Sequence, residues 1–256
     1  MEITPEQYAR IEPHLPTQRG NVSHENLNVI NAILFIAENG CKWRALPKRF
    51  GNWHTIYTRM NRWAKAGVLD RLFAELQREQ LIRIKIEAVS LDSTIIKVHP
   101  DGTGALKKNG PQAIGKSRGG WSTKVHMVAA SARCAIGFSL SPGQAGDAPE
   151  GRALLHSIQG APELPLSCHL LMDCAYEGNE TRQLALDLGF IPVVPPHPNR
   201  VAPWRLKKAL YRRRNEIERL FRRLKGFRRI FSRFDKLDLV FIAFIYFALI
   251  VEALRQ

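Results

Sequence analysis

Five short apolar runs, interrupted by two helical stretches, place the strongest constraint on how this chain can fold. The runs have the length of β-strands and lie at 88–91, 124–130, 135–140, 169–172 and 190–194. Apolar residues recur at helical spacing at 149–158 and 181–188, after the third run and after the fourth. The first three strands therefore follow one another without the crossover helix that parallel strands would need. This order predicts an α/β fold with a mixed sheet and flanking helices.

The residues before this alternation predict a small all-α domain. Apolar residues recur at helical spacing in three segments, at 27–36, 53–63 and 69–76. Three helices with tight turns suit a helix-turn-helix-like unit that reads DNA, and a helical domain that only packs on the rest of the chain fits equally well. We therefore expect an N-terminal domain at 1–86 that binds DNA ends and a second domain at 87–256.

Positive charge is concentrated near the C-terminus. The formal net charge is +15, and residues 200–236 contain fifteen Lys or Arg but three acids. Such a surface suits a polyanion, nucleic acid first and an anionic membrane surface second. A second basic segment, 100–120, is rich in Gly, Lys and Ser and is predicted to be a mobile loop. Its Lys107, Lys108 and Lys116 are candidates for DNA contacts.

Three other features narrow the class of protein. The four cysteines lack metal-ligand spacing and are expected to be reduced thiols. The first twenty residues do not resemble a signal peptide, so we expect a cytoplasmic protein. The thirteen apolar residues at 239–251 are too few to span a bilayer, and they predict a buried terminal helix and no membrane partner.

Two aspartates directly follow strand-like runs. Asp92 comes after 88–91 and Asp173 after 169–172. Each is expected at the C-terminal end of its strand, where open α/β sheets place their ligands. Two carboxylates on neighbouring strands repel one another unless a cation lies between them, and Mg²⁺ binds through carboxylate and phosphate oxygens. An aspartate that only begins a turn after its strand explains the pair equally well.

A third acid follows from the helical periodicity of 204–226. One stripe, about 60° wide at about 100° per residue, contains Tyr211, Arg214, Glu218 and Lys225. Glu218 therefore lies between the apolar face and a basic face, as expected of a catalytic carboxylate beside DNA. Glu216, on the far border of the basic face, is expected to pair with arginines. A solvated face with pairs such as Arg214 and Glu218 is the alternative, but the scarcity of acids favours DNA binding.

These residues resemble a known family. The spacing Tyr211-x2-Arg214-x3-Glu218-x6-Lys225 is similar to the C-terminal signature of bacterial insertion-sequence transposases with a DDE catalytic site, and its details resemble their fifth large family. Four further segments are similar in the same order: Trp43-Arg-Ala-Leu-Pro47, Leu91-Asp92-Ser93-Thr94, Gly143-Gln-Ala-Gly-Asp147-Ala-Pro149 and Met172-Asp173-Cys-Ala-Tyr176. One departure is Ala175, which stands where glycine is frequent. The resemblance covers nearly the whole chain.

The resemblance implies an RNase-H-like catalytic fold. In this family Asp92, Asp173 and Glu218 would hold two Mg²⁺ ions, for which Mn²⁺ can substitute. The enzyme would bind the terminal inverted repeats of its element, cleave the ends by hydrolysis and join the 3′ ends to target DNA. A dimer or larger assembly on DNA and a location at the bacterial nucleoid are also implied.

Further roles follow from the same scheme. Arg214 and Lys225 would hold phosphates near the metal ions, as a bidentate fork and as a point charge. Tyr211 would stack on a base or contact a phosphate, or equally be a core aromatic at the helix margin. Arg222 completes the predicted DNA contacts.

Asp147 is a weaker candidate, because a turn explains it as well, and Ser93 and Tyr176 are expected only as partners of the acids. Two functions of other classes also fit the sequence. One is a DNA-binding protein without catalysis, and the other is a nuclease that hydrolyses DNA without joining it.

Overall fold

The computed structural model describes residues 2–18, 22, 24–83, 86–104, 106, 109–159 and 167–255. Two compact units share the chain. The first comprises Met1–Leu76, Lys97–Gln112 and Arg223–Gln256, and the second comprises Gln77–Ile96 and Ala113–Arg222. The C-terminal residues thus belong to the same unit as the N-terminal helices. A single boundary after residue 86 does not give this grouping, and the assignment of end binding to one domain stays a prediction.

Helices and strands are both well represented in the described part of the chain. The helices are α1 (Pro5–Ala9), α2 (Asn26–Asn39), α3 (Trp53–Lys65), α4 (Val68–Arg83), α5 (Pro100–Thr103), α6 (Asp147–Ser157), α7 (Asn179–Asp187), α8 (Lys208–Tyr211), α9 (Asn215–Gly226), α10 (Arg228–Phe231) and α11 (Asp238–Leu254). The strands are β1 (Ala88–Val98), β2 (Gly115–Ser117), β3 (Gly120–Ala129), β4 (Ala135–Pro142), β5 (His169–Met172), β6 (Ile191–Val193) and β7 (Ser232–Arg233). The predicted α/β class with a helical N-terminal region is confirmed.

The three predicted N-terminal helices are present as α2, α3 and α4. Asn52 caps α3, because its side chain accepts a hydrogen bond from the backbone N–H of His54 at 2.8 Å. Helix α2 ends at Gly40, whose φ of 65° is the left-handed conformation that favours glycine. A Cβ at this position would also meet the Cβ of Arg228 at 2.8 Å, so a larger residue would not fit here.

The C-terminal helix α11 lies in the core of the first unit. Nearly all of its residues are buried, and it packs on α2 and α3. The ring of Phe244 lies 6.1 Å from that of Trp43. The predicted buried terminal helix is therefore confirmed. Within the described residues, no helix has the length and apolar character needed to cross a membrane.

The strands form one mixed sheet in the order β2-β3-β1-β5-β6, in which β4 also pairs with β3 and β7 with β1. The pairs of β3 with β2 and β4 are antiparallel, whereas β1, β5 and β6 run parallel. Helix α6 covers one face, where Leu154 packs with Val89 and Leu91. On the other face, Tyr211 of α8 packs against Ala88. These contacts assign alternate residues of each strand to one face or the other.

Three predicted boundaries are wrong. Strand β1 does not end at Asp92 but continues to Val98, because the alternating residues after Asp92 extend the strand and its end pairs with β7. The predicted loop at 100–120 contains α5, whose first turn is capped by the His99 side chain, and β2. Lys107 and Lys108 of this stretch lie outside the described residues.

The predicted helix at 204–226 begins later, at Lys208, and contains a 3₁₀ turn at Arg212–Arg214. Trp204 is not helical, and its indole N–H donates to the carbonyl of Val194 at 2.7 Å. The sidedness predicted for α9 is nevertheless present. Its apolar residues are buried and its arginines are exposed.

Candidate active site

Asp92 and Asp173 lie side by side on the sheet. Strands β1 and β5 are parallel, with Leu91 opposite Met172, so the two aspartates are the next residues in the same register. Side chains alternate along a strand, and both aspartates therefore belong to the face that carries Ala88 and is covered by α8. The sheet thus brings together the two acids that the sequence singled out.

The two carboxylates have different surroundings. Burial raises the pKa of Asp92 above its usual range, and the nearby Asp173 carboxylate raises it further, whereas Arg214 opposes the shift. The Asp92 side chain also accepts a hydrogen bond from the N–H of Ser93 at 2.8 Å. Asp173 accepts one from the N–H of Ala175 at 2.8 Å and so caps a 3₁₀ turn. Asp173 therefore begins a turn and also lies beside Asp92, so the two interpretations of this residue do not exclude each other.

Arg214 connects Asp92 to the third predicted acid. Its guanidinium lies 2.6 Å from a carboxylate oxygen of Asp92 and 2.6 Å from one of Glu218. Glu216, two residues before Glu218 on α9, instead accepts hydrogen bonds from the N–H of Ala132 and from Arg219. The structure thus links Glu218, and not Glu216, to Asp92 through Arg214. The Arg214–Glu218 pair is also the one expected of a solvated helix face, so the catalytic role of Glu218 stays a prediction.

A second charged cluster adjoins Asp92 on the α6 face of the sheet. Asp147 accepts a hydrogen bond from the Ser93 hydroxyl at 2.8 Å and one from the Lys124 ammonium at 2.9 Å. Lys124 was not predicted from the sequence, although the alternation along β3 directs it to the same face as the buried residue Val128. Asp147 begins α6 and also holds Ser93, the residue after Asp92, so it is more than a turn residue.

Tyr176 is buried near the carboxylates of Asp147, Asp92 and Asp173. Burial raises its pKa, and the carboxylates of Asp147, Asp92 and Asp173 raise it further. Its ring packs so closely on α6 that a Cβ at Gly151 would meet the Tyr176 ring at 2.5 Å. Tyr176 is thus a buried neighbour of the acids, and its role as their partner stays a prediction.

The other predicted site residues are placed differently. Tyr211 packs its ring at the margin of a small core, with the Arg214 guanidinium 5.9 Å from the ring centre. Arg222 is exposed on α9, and Lys116 is exposed on β2. Lys225 is half-buried, and burial lowers its pKa. It belongs to the first compact unit, whereas Glu218 of the same helix belongs to the second.

The donor set suits a hard divalent cation. Asp92, Asp173 and Glu218 offer carboxylate oxygens, which Mg²⁺ and similar ions prefer. Arg214 now supplies the positive charge between two of these acids. Among the described residues, no three acidic, histidine or cysteine side chains converge closely enough to hold a metal ion together. An ion bound to the Asp92 oxygen that faces Arg214 would replace the guanidinium there.

The fold and these side chains define a mixed α/β protein in which Asp92, Asp173 and Glu218 lie near the Arg214 guanidinium. The family profile described as "Transposase DDE domain" matches residues 83–251. A second profile, "Putative transposase of IS4/5 family", matches residues 3–73. Because the first match spans well over half of the sequence, the chain belongs to the DDE transposase family. It is a DNA transposase whose chemistry depends on divalent metal ions.

Individual relatives are similar over parts of the chain. "Uncharacterized protein y4sN" of Sinorhizobium fredii is 34% identical over 109 residues, 41% of this chain and 83% of its own. "Putative transposase for insertion sequence element IS6501" of Brucella ovis is 29% identical over 135 residues, 52% of this chain and 99% of its own. Among solved structures, the piggyBac transposase in a synaptic complex with hairpin DNA has a TM-score of 0.38 at 11% identity. The match covers 76% of this chain and 47% of that one.

Proposed function

We propose that this transposase uses Asp92, Asp173 and Glu218 as the acids of one catalytic centre. This centre hydrolyses the phosphodiester at each end of an insertion sequence and then joins the freed 3′ hydroxyl to target DNA. The proposal rests on the two ion pairs of Arg214, which hold Asp92 and Glu218 within reach of one guanidinium. It also rests on the positions of Asp92 and Asp173, each directly after one residue of the paired Leu91 and Met172.

The proposed cofactor is Mg²⁺, as two ions, with Mn²⁺ able to substitute. When bound, the ions supply a water nucleophile of lowered pKa and neutralise charge on the leaving oxygen. Asp92 lies beside Asp173 and is linked to Glu218 through Arg214, so these three acids would hold the ions together. Arg214, once released from Asp92, would hold a phosphate oxygen of the DNA through its two-pronged guanidinium.

The proposed DNA surface extends along α9. The exposed Arg222 lies on this helix with Lys225, and Arg212 precedes them. Each cation that contacts a phosphate releases counterions, so binding should weaken steeply with salt. Replacing Arg222 with Gln is expected to reduce the slope of log affinity against log salt by roughly one unit. Binding titrations at several salt concentrations would measure this slope.

Asp92→Asn and Glu218→Gln test the acids of the centre. Each is expected to lower the rate of cleavage of end-containing DNA in Mg²⁺ by at least about a hundredfold, because metal-assisted catalysis is worth several kcal/mol. Binding of the same DNA should persist in both variants. Glu216→Gln is the matched control, since it makes the same change on the same helix at a residue that pairs with Arg219. If either acid variant cuts as fast as this control, the assignment fails.

Two further measurements separate this function from simpler ones. Pre-cleaved ends incubated with a target plasmid should give joined product, which a nuclease that only hydrolyses DNA would not make. A DNA-binding protein without catalysis would give neither product. Because two ends must be joined together, we propose a dimer or larger complex, which the mass of the complex with end DNA would test. A fluorescent fusion is expected to colocalise with the nucleoid.

A further inference from the structure

The hairpin of β2 and β3 is a preformed element next to the catalytic centre. A two-residue turn, Arg118–Gly119, joins the strands, and Gly120 has a φ of 98°, which favours glycine. The Ser117 hydroxyl donates to the carbonyl of Gly120 at 3.0 Å, and the Ser122 hydroxyl donates to Ser117 at 2.8 Å. These bonds brace the turn from both strands. The hairpin therefore needs little ordering before it binds a ligand.

One large apolar side chain stands out on this polar hairpin. Trp121 is the one apolar side chain between Gly115 and Lys124, and 51% of its surface is exposed. The two residues after it are almost fully buried, so the strand is anchored without the indole. Among the described residues, no aromatic ring stacks on Trp121 and no guanidinium lies over it. Its ring face is therefore open to a partner.

Positive charge surrounds this ring. Lys116 is directly opposite Trp121 across the hairpin, so the two side chains share one face. Arg118 is exposed at the turn. Neither cation forms an ion pair within the described part of the chain. A flat ring flanked by unpaired cations is the combination that single-stranded nucleic acids bind, by base stacking and phosphate contact.

The Trp121 ring also lies on the same face of the sheet as Asp92. Lys124 and Val128 face α6, so alternation along β3 directs Trp121 to the opposite face, which is that of Asp92. Trp121 and Lys124 are three residues apart, about 10 Å along a strand. Lys124 in turn contacts Asp147, which holds Ser93. Trp121 is therefore about 10 Å along β3 from the residue whose partner, Asp147, holds the neighbour of Asp92.

We propose that the Trp121 ring stacks on an unpaired nucleobase close to the DNA bond under attack, while Lys116 and Arg118 contact the adjoining phosphates. This inference rests on the proposed function, since it needs DNA at the acidic centre. The stacked base belongs to the strand that runs across the Asp92 face of the sheet. The hairpin thereby holds the strand in position on one side of the centre, and α9 holds it on the other.

Binding to two oligonucleotides of equal charge tests the base contact. One is a fluorescent 12-mer of thymidine, and the other is a 12-mer of abasic sugar-phosphate units. With the full chain in EDTA, the wild type should bind the thymidine oligonucleotide more tightly. Trp121→Ala should weaken this binding about five- to a hundredfold, the range of one base–aromatic stack, and leave binding of the abasic oligonucleotide unchanged. Trp121→Phe should retain part of the preference for bases.

Leu186→Ala is the matched control, because Leu186 is an apolar residue of the same unit with the same 51% exposure. Lys116→Gln should weaken binding of both oligonucleotides equally. The inference is overturned if Trp121→Ala keeps the wild-type preference for bases, if it weakens both oligonucleotides alike, or if Leu186→Ala matches it. A change in oligomeric state with unchanged DNA binding would instead assign Trp121 to a protein contact.

The outcome is separable from that of the proposed function. The binding assay contains no divalent metal ion and measures no cleavage. If Asp92→Asn abolishes cleavage while Trp121→Ala keeps the preference for bases, only the hairpin inference fails. If Trp121→Ala loses that preference while Asp92→Asn still cuts DNA, the base contact stands and the assignment of the acids fails.

Discussion

Arg214 should stabilise the metal-free protein chiefly through Asp92 and only slightly through Glu218. Both carboxylates lie 2.6 Å from its guanidinium, so distance alone does not distinguish them. Their exposure does. The side chain of Asp92 is 13% exposed and that of Glu218 is 47% exposed, while Arg214 itself is 18% exposed. Water and salt screen the second pair far more than the first.

The expected free energies follow from this difference. A hydrogen bond between charged groups that are largely buried contributes about 1.5–3 kcal/mol, whereas an exposed pair one helical turn apart contributes about 0.3–0.5 kcal/mol. Arg214→Gln should therefore lower the free energy of unfolding by roughly 2 kcal/mol, most of it at Asp92. Removing Arg214 also leaves the Asp92 and Asp173 carboxylates without the cation that offsets their repulsion.

Two double-mutant cycles measure each pair separately. One combines Arg214→Gln with Asp92→Asn, and the other combines it with Glu218→Gln. Urea unfolding in EDTA gives the free energies. The coupling energy of the Asp92 cycle should exceed that of the Glu218 cycle several-fold. Equal coupling energies, or a larger value for Glu218, would refute the reasoning that burial decides the strength of these pairs.

The same pair should also compete with metal binding. If a divalent ion displaces Arg214 from Asp92, the loss of about 2 kcal/mol of pairing corresponds to roughly 30-fold tighter Mn²⁺ binding by Arg214→Gln without DNA. Electron paramagnetic resonance of free Mn²⁺ would measure this affinity. Weaker Mn²⁺ binding by the variant would contradict the competition.

Two further predictions concern the core around the centre. Gly151→Val should lower the free energy of unfolding by about 1–3 kcal/mol, because the added Cβ meets Tyr176 at 2.5 Å and Leu91 at 3.1 Å. Urea unfolding would measure this loss, with Gly178→Ala as the control, since a Cβ at residue 178 meets nothing within 4 Å. An equal loss of stability in both variants would contradict the clash. Burial lowers the pKa of His126 to about 4 in the folded protein, while the pKa of an unfolded histidine is about 6.5. As the pH drops, the unfolded state therefore binds a proton at a higher pH than the folded state does. The free energy of unfolding should fall as the pH drops from about 6.5 to 4. His126→Gln should flatten this fall in unfolding measurements at pH 7 and pH 5, and an unchanged slope would exclude His126 as its cause.

Much of the candidate centre could be predicted because its signals are local. A carboxylate that directly follows a strand-like run is visible in a few residues, and so is the sidedness of a helix. These signals singled out Asp92 and Asp173 and preferred Glu218 over Glu216. They also predicted five of the seven described strands and the three N-terminal helices, since apolar periodicity reflects which side of each element is buried.

Other features depend on partners far away in the sequence. The prediction that β1 ends at Asp92 failed because pairing with β7 near residue 232 extends the strand. Lys124 was missed because its role requires Asp147 to approach from another element. Trp204 was placed in a helix by its spacing, although its hydrogen bond to Val194 holds it in an irregular segment.

The sequence by itself predicted the order of five strands and the helices between them, the sidedness of α9 and three candidate acids, because each of these has a signal within a short stretch of residues. Only the tertiary structure decided that Arg214 lies between Asp92 and Glu218, that α11 belongs with the N-terminal helices, and that Trp121 shares a sheet face with Asp92. These relations depend on strand register and on packing between distant segments. No local pattern encodes them, since the same periodicity is compatible with several strand orders and several partners.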